Sequence, residues 1–325
     1  MSDGWIACLD VPGIYSVTDS HEHTCGLSPR CRSSSTHSEH RRSSQSRLCN
    51  CCFPDQLFEK RMTTTESGKR RRLVGVSTKM YFDLAKSKSY LDAVLSSVPS
   101  LLAELREPTD VFVIPDFVNI IPYAERIAAG KAPLLLGAQD AHHDDGGAYT
   151  GEVSPKVLAQ AGVKIVEMGH AERRRLFGET DEWVAQKALG AARNAMVPLI
   201  CVGEVSQGGG AEKAVEECWT QVYRVFENPN FPKDAEVILA YEPVWAIGKS
   251  EPASAEHVVA VTKLLRQKAA DLGRPGLVRI LYGGSAGPGL FQKLEEGVDG
   301  LFLGRFAHDP KQFVETITEV GGGRK

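Results

Sequence analysis

The sequence predicts an α/β fold in which eight strand–helix units form a closed (β/α)8 barrel behind a disordered N-terminal extension. From Leu73 onward, short apolar runs of strand length alternate with amphipathic helical patterns. Runs such as Val111–Ile114 are continuously apolar, which is typical of parallel strands buried on both faces. Candidate functional residues follow several of these runs, and a closed barrel brings such strand ends to one mouth, whereas an open doubly wound sheet spreads them apart.

The predicted elements follow one another in regular order. Strands are predicted at residues 73–77, 110–114, 134–137, 163–167, 197–202, 236–241, 278–282 and 299–303. Between them, helical periodicity is clearest over Leu91–Leu105, Asp181–Asn194 and Ser254–Leu272. Consecutive parallel strands require right-handed crossovers, so these helices should surround the barrel. The chain is therefore expected to divide into an extension at 1–61, a basic linker at 62–72 and a barrel at 73–325.

Residues 1–61 differ from the rest in composition. The run Arg30–Arg47 is mostly Ser, Arg and His without periodicity, which predicts disorder. Six cysteines lie in this part, but no two CxxC pairs occur, so we expect no metal site. Early acidic residues argue against a transit peptide and leave Met62 as an alternative start of the protein. We expect this extension to be dispensable.

Overall composition excludes several classes of protein. The net charge of -3 would not attract nucleic acid to the protein as a whole. The sequence contains no run of 18 apolar residues, so it predicts no membrane-spanning helix. The basic run Lys69–Arg72 is more typical of a solvated charge run than of a localisation patch. Only Cys201 and Cys218 fall in the barrel region, which needs no disulfide and fits the reducing cytoplasm.

Two polar residues stand where predicted strands end. Glu242 follows strand 236–241 and precedes an apolar loop that contains Trp245. A carboxylate that such a loop seals from water is a stronger base near neutral pH. His170 follows strand 163–167 and precedes a charged helical turn. A helix N-terminus disfavours the imidazolium form, so the His170 ring could act as a neutral hydrogen-bond donor.

Glycines follow the last two predicted strands. Tyr282-Gly283-Gly284-Ser285 and Leu303-Gly304 both place small residues directly after an apolar run. Such turns let backbone N–H groups approach a phosphate closely. Either turn alone is also compatible with an ordinary loop.

Together these segments resemble the triosephosphate isomerase family over roughly Arg72 to Val320, in that family's order and spacing. The matching segments are Gly75–Met80, Gly137–Gln139, Ala148–Glu152, Gly169–His170, Cys201–Glu204, Ala240–Gly248 and Tyr282–Ser285. The resemblance implies a TIM barrel that acts in glycolysis and gluconeogenesis, with no cofactor. The implied reaction is an aldose–ketose isomerisation that interconverts dihydroxyacetone phosphate and glyceraldehyde 3-phosphate through an enediolate.

The resemblance also implies roles for individual residues. The implied catalytic residues are the base Glu242, the electrophile His170, the cation Lys79 and, in a supporting position, Glu172. The implied substrate-binding residues are Ser77, Lys79, Gly248, Ser285, Gly304 and Arg305. Pro243–Ala253 would be a mobile lid with Pro252 in its hinge, and the loop around Thr150 would reach into the partner of a homodimer.

Several positions depart from the family pattern. Ser77 and Thr78 replace an asparagine and a tryptophan, Ala171 replaces a serine, and Arg305 replaces a glycine. Arg305 is more similar to the family branch that isomerises tetrulose phosphates such as L-erythrulose 1-phosphate. Triose and tetrulose phosphates therefore remain alternative substrates. A non-catalytic paralogue with a binding or regulatory role is a third alternative, against which the intact Lys79, His170 and Glu242 argue.

Overall fold

The computed structural model describes residues 70–248 and 253–324, and within them eight parallel strands close into a barrel. Each strand pairs with its neighbours in chain order, and β1 (Arg72–Ser77) pairs with β8 (Gly300–Leu303) to complete the ring. Helices lie between the strands along the chain. The predicted (β/α)8 fold is confirmed.

The other strands are β2 Thr109–Ile114, β3 Leu134–Ala138, β4 Ile165–Met168, β5 Val197–Val202, β6 Val237–Tyr241 and β7 Val278–Tyr282. The α-helices in the described ranges are α1 Leu84–Glu104, α2 Ile120–Ala129, α3 Pro155–Gln160, α4 Ala171–Phe177, α5 Asp181–Arg193, α6 Gly210–Glu227, α7 Ala255–Asp271, α8 Phe291–Leu294 and α9 Pro310–Val320. Short 3-10 turns occur at Phe117–Asn119, Val244–Ala246 and Arg305–His308.

The barrel axis is filled by side chains from alternating strand positions. Phe112 on β2 and Phe302 on β8 stack with ring centroids 5.7 Å apart. Gly75 lies between them in register, and a Cβ at that position would come within 1.9 Å of the Phe112 ring. Only glycine therefore fits at this point of β1. Because the axis is packed, a ligand site belongs at one end of the barrel rather than inside it.

Most predicted strand and helix bounds lie within one residue of the observed ones, but two elements begin two or more residues away from the predicted position. Helix α1 begins at Leu84, seven residues before the predicted Leu91, and Asp83 caps it by accepting a hydrogen bond from Lys86 N at 2.7 Å. Its first turns are mostly exposed and polar, so they carry no apolar periodicity that could reveal them. Strand β4 begins at Ile165, two residues later than predicted.

The basic run at the start of the barrel is paired with carboxylates, contrary to the solvated run that its composition favoured. The Arg71 guanidinium lies 2.8 Å from Asp110 Oδ1. Further pairs at this N-terminal end of the barrel are Arg70–Asp299, Arg72–Glu295, Arg266–Asp299, Arg279–Asp110 and Arg279–Glu236. The side chains of Asp110 and Asp299 are each only 2% exposed. These arginines therefore neutralise charges that the fold has removed from water.

Some expectations fall outside the described residues. The extension at 1–61, nearly all of the linker at 62–72 and the hinge residue Pro252 lie there, so the predicted disorder and domain boundaries stay predictions. Among the helices that are described, none is long and apolar enough to cross a membrane.

Candidate active site

Three residues predicted from separate strands meet at the C-terminal end of the barrel. Lys79 follows β1, His170 follows β4 and Glu242 follows β6. The Lys79 Nζ lies 3.3 Å from His170 Nε2, and His170 Nε2 lies 3.3 Å from Glu242 Oε2. An acid, an imidazole and an ammonium group thus surround one point, which is the arrangement that a proton transfer with charge stabilisation requires.

Lys79 is held in an uncommon backbone conformation. Its φ of 47° lies in the left-handed region, and its carbonyl oxygen accepts a hydrogen bond from Gln139 Nε2 at 2.9 Å. Its Nζ donates to Glu172 Oε1 at 2.8 Å. Burial lowers the pKa of Lys79, but the hydrogen bond to Glu172 and the charge of Glu242 outweigh burial and raise it overall. Lys79 therefore stays positively charged at neutral pH.

His170 is a buried N-cap of α4, and its tautomer follows from that position. Its Nδ1 accepts a hydrogen bond from the backbone N–H of Glu172 at 3.1 Å, so a neutral ring carries its proton on Nε2, facing Glu242. Burial lowers the pKa of His170, but the carboxylates of Glu242 and Glu167 outweigh burial and raise it. The expectation of a neutral ring relied on the helix N-terminus. Here the nearby carboxylates oppose that effect.

Glu242 is buried directly beyond the end of β6, with 6% of its surface exposed. Its backbone N–H donates to Val202 O at 2.8 Å, which continues the barrel ladder by one residue. A Cβ at Gly283 would lie 2.5 Å from the Glu242 side chain. Gly283 therefore makes room for the carboxylate, a role that differs from the phosphate contact expected of its segment.

The first turn of the predicted lid is anchored to Glu204, a residue that sequence analysis matched without assigning a role. Trp245 Nε1 donates to Glu204 Oε1 at 2.8 Å, and the Tyr241 hydroxyl donates to the same carboxylate at 3.1 Å. His257 Nε2, on α7 beyond the loop, lies 3.0 Å from Glu204 Oε1. One buried carboxylate thus contacts residues on both sides of the predicted lid.

All the predicted site residues line one cavity of about 790 Å³ at this end of the barrel. They are Ser77, Lys79, His170, Glu172, Glu242, Gly248, Ser285, Gly304 and Arg305. Gly248 has a φ of 76°, which suits glycine in a loop that presents its backbone to a ligand. Arg305 is exposed at the cavity wall. The cavity is large enough that its size alone does not restrict a substrate to three carbons.

Sequence analysis missed Glu167, which lies on β4 three residues before His170. Its side chain is 4% exposed, and it shares the interior face of β4 with Ile165. Burial raises the pKa of Glu167 to about 7, with Glu242 adding to the rise and His170 and Lys79 opposing it. The sequence contained one indication of Glu167, namely a single acidic residue within the otherwise apolar strand β4.

Away from the cavity, the described residues include one group that could approach a metal together. Ligand atoms of His142, His143 and Asp144 lie within 4.8 Å of one another, and all three side chains are partly exposed. The Nδ1 of His142 already accepts a hydrogen bond from Asp144 N at 3.0 Å. This loose geometry falls short of a metal centre.

Comparison with known proteins gives consistent results. The family model described as triosephosphate isomerase matches residues 72–320. The L-erythrulose-1-phosphate isomerase of Pectobacterium atrosepticum is 42% identical over 260 residues, which cover 77% of this chain and 96% of the relative. The L-erythrulose-1-phosphate isomerase of Mesorhizobium japonicum is 35% identical, with 75% and 95% covered. The triosephosphate isomerase of Thermoanaerobacter sp. is 36% identical, with 72% and 94% covered.

Proposed function

The chain belongs to the triosephosphate isomerase family, and we propose that it isomerises a four-carbon ketose phosphate such as L-erythrulose 1-phosphate through an enediolate. It is a sugar-phosphate isomerase of the aldose–ketose isomerase type. The finer proposal concerns the substrate and the role of each residue.

In the proposed mechanism, Glu242 removes a proton from the carbon beside the substrate carbonyl and returns it to the former carbonyl carbon. His170 Nε2–H donates to the enediolate oxygens, and Lys79 places a positive charge beside them. The 3.3 Å distances between Lys79, His170 and Glu242 support a common reacting centre. Preorganised donors of this kind contribute on the order of 3 kcal/mol each to transition-state stabilisation.

The phosphate is proposed to bind backbone N–H groups of Gly248, Ser285 and Gly304. These residues follow β6, β7 and β8, so they approach the cavity from one side of the barrel. The predicted lid would then close over the reacting carbons, exclude water and limit loss of phosphate from the enediolate.

The observation that carries the substrate choice is the floor of the cavity, where Ser77 replaces a longer side chain of the family pattern. In a four-carbon ketose 1-phosphate, the proton is taken from C3 and returned to C2. The product is again a ketose, formed by the same enediolate chemistry as an aldose–ketose isomerisation because the reacting carbon carries a hydroxymethyl group in place of a hydrogen. That terminal hydroxymethyl group projects beyond the reacting carbons. The shorter Ser77 leaves room for that group, and the 42% identity to an L-erythrulose-1-phosphate isomerase supports the same substrate class.

The second candidate is the interconversion of dihydroxyacetone phosphate and glyceraldehyde 3-phosphate, with roles in glycolysis and gluconeogenesis. It is favoured by the same Lys79, His170 and Glu242 geometry and by the relative named triosephosphate isomerase. A non-catalytic binding role is disfavoured because these three groups converge on one cavity.

A homodimer and a cytoplasmic location complete the proposal. Exposed apolar side chains follow three adjacent strands, namely Met80 after β1, Val118 after β2 and Tyr149 after β3, and Tyr149 directly precedes Thr150. A second copy of the chain that covers these side chains would account for apolar groups that are exposed in one copy alone, and a monomeric mass in sedimentation would contradict the homodimer.

Both cysteines of the described residues, Cys201 and Cys218, are free, which suits a reducing compartment such as the cytoplasm. Recovery of the protein in a secreted fraction would contradict that location.

The substrate is tested by measuring kcat/KM on L-erythrulose 1-phosphate and on glyceraldehyde 3-phosphate for the native full chain. We expect the four-carbon substrate to be preferred. Arg305→Gly should weaken that preference by about tenfold if the guanidinium hydrogen-bonds the substrate. A strong native preference for the triose, with a ratio that Arg305→Gly leaves unchanged, would contradict the four-carbon proposal.

A further inference from the structure

His308 ends the 3-10 turn Arg305–His308 after β8, and its side chain reaches the end of β1. Its Nε2 lies 3.1 Å from the carbonyl oxygen of Ser77. Because a carbonyl oxygen only accepts hydrogen bonds, the ring donates through Nε2–H. The register between β1 and β8 ends at Val76 and Leu303, so His308 joins these two sides of the barrel one residue beyond the ladder.

The turn that follows β1 is held from two sides. Ser77 O accepts from His308 on the β8 side, and Lys79 O accepts from Gln139 Nε2 at 2.9 Å on the β3 side. Lys79 has a φ of 47°, in the left-handed region that residues other than glycine adopt at a cost. Such a conformation persists only where the surrounding structure holds it. These two hydrogen bonds therefore keep Lys79 where it is.

The His308 ring is itself fixed, independently of β1. The Phe82 ring packs edge-on against it, with ring centroids 4.8 Å apart. The preceding residue, Ala307, accepts a hydrogen bond at its carbonyl oxygen from the Tyr90 hydroxyl at 2.7 Å. The N–H of Ala307 donates to Gly304 O at 3.0 Å. The donor that reaches β1 thus belongs to a turn with its own anchors.

The protonation state of His308 does not alter this contact. Burial lowers the pKa of His308. Three nearby cations lower that pKa further, namely Lys86, Lys79 and Arg305, and the hydrogen bond to Ser77 O only partly opposes them. The ring is therefore neutral at neutral pH, with its proton on Nε2. A second proton taken up at lower pH would bind Nδ1 and leave the Nε2–H donor in place.

We propose that His308 is a positioning residue, whose hydrogen bond to Ser77 O holds the turn that carries Lys79 in the conformation that isomerisation requires. This inference rests on the proposed mechanism, in which Lys79 places a positive charge beside the enediolate, and not on the choice between triose and tetrulose phosphates. Lys79 Nζ lies 3.3 Å from His170 Nε2, so a shift of the turn displaces the cation from the reacting centre. Ser77 and Lys79 line the cavity and His308 does not, so His308 acts through the turn and not on the substrate.

Two substitutions separate the ring of His308 from its donor. His308→Phe keeps a ring against Phe82 and removes the hydrogen bond to Ser77, whereas His308→Gln loses the ring and keeps an N–H donor at a similar reach. Both are compared with the native full chain on the substrate that the native protein prefers. For His308→Phe, kcat should fall about tenfold, because small displacements of a catalytic group are costly, and KM should change less than about twofold. His308→Gln should recover most of kcat.

The pH profile separates positioning from proton transfer. Because the donor persists in both protonation states, the ratio of native kcat to that of His308→Phe should stay constant between about pH 6 and pH 8. A ratio that varies with pH would show that His308 takes part in a proton transfer, and it would overturn the positioning role.

Tyr90→Phe is the matched control, because it removes a hydrogen bond to the neighbouring carbonyl of the same turn, Ala307 O. It should lower the stability to denaturant about as much as His308→Phe does, while kcat stays at the native value. An equal loss of kcat in both variants, or a His308→Gln protein that folds but recovers no activity, would overturn the inference. If His308→Phe does not fold, the kcat of His308→Gln decides alone, and a value near that of the native protein supports the inference.

Lys79→Met tests the premise separately. If this variant keeps the native kcat, the proposed mechanism fails and the inference about His308 fails with it. If Lys79→Met abolishes turnover while His308→Phe leaves kcat unchanged, the mechanism stands and only the inference is overturned.

Discussion

Both ends of the barrel bury carboxylates, but the two ends supply them with different partners. At the N-terminal end, Asp110 and Asp299 each face two arginines. At the C-terminal end, Glu242 contacts His170 at 3.3 Å, and Glu167 has an oxygen without a partner among the described residues. The paired arginines at the N-terminal end compensate charges that the fold has removed from water, so they serve stability. The carboxylates at the C-terminal end lie beside the candidate active site and lack such complete compensation.

The largest expected effect is a loss of stability when Arg279→Met disrupts the ion pairs at the N-terminal end of the barrel. The Arg279 side chain is 5% exposed and lies 3.0 Å from Asp110 Oδ2, with Glu236 as its other partner. Removing one member of a buried ion network leaves uncompensated charge and should lower the free energy of unfolding by about 3–5 kcal/mol. Because the cavity is at the other end, kcat/KM of the folded protein should not change.

Denaturant unfolding and steady-state kinetics on the same preparation test this prediction. Lys263→Met is the control, since the Lys263–Glu296 pair is also an ion pair but its side chains are 53% and 76% exposed. An exposed pair contributes little to stability. A stability loss for Arg279→Met no larger than that of Lys263→Met would show that the buried network does not hold the fold.

At the C-terminal end, Glu242→Asp should lower activity and leave stability nearly unchanged. The shorter side chain withdraws the carboxylate from the reacting carbon by about 1 Å, a displacement that can cost on the order of 100-fold in rate. The fold should survive, because the Glu242 backbone and not its side chain continues the barrel ladder. Turnover is measured on the preferred substrate and unfolding by denaturant. Unchanged turnover would remove Glu242 from the mechanism.

The smallest expected effect concerns pH and Glu167. Its folded pKa of about 7 lies above the ordinary value of 4.5. Between these pH values Glu167 is protonated in the native state and ionised in the unfolded state. Its contribution to the free energy of unfolding therefore falls as pH rises from 4.5 to 7, and it does not fall further above pH 7. Relative to Glu167→Leu, the native protein should lose at most about 3 kcal/mol across that range.

Unfolding free energies of the native protein and of Glu167→Leu, measured from pH 4.5 to 8, give this difference directly. Taking the difference between the two proteins cancels the titration of groups that both share. A difference that stays constant with pH would mean that Glu167 titrates normally. The contrast between the paired and the incompletely paired end would then be weaker than the structure indicates.

The sequence by itself determined the fold class and the positions of two charged residues near the cavity. Continuous apolar strands such as Val111–Ile114 and the residues that follow strands predicted a closed barrel, and His170 and Glu242 were placed at strand ends from the local pattern, whereas Lys79 and the other candidate residues followed from the family resemblance. The reason is local: strand length, apolar runs and the position just after a strand are all readable in one dimension.

Only the tertiary structure decided which charges are paired. The arginines at 70–72 were read as solvated because their carboxylate partners are distant in the chain, with Asp299 more than 200 residues from Arg70. Glu167 was missed because its interior orientation and its electrostatic neighbours depend on closure of the barrel, which brings Ser77 of β1 and Glu242 after β6 close to it. Burial and electrostatic partners are properties of packing, so residues adjacent in space but remote in sequence determine the chemistry of a carboxylate.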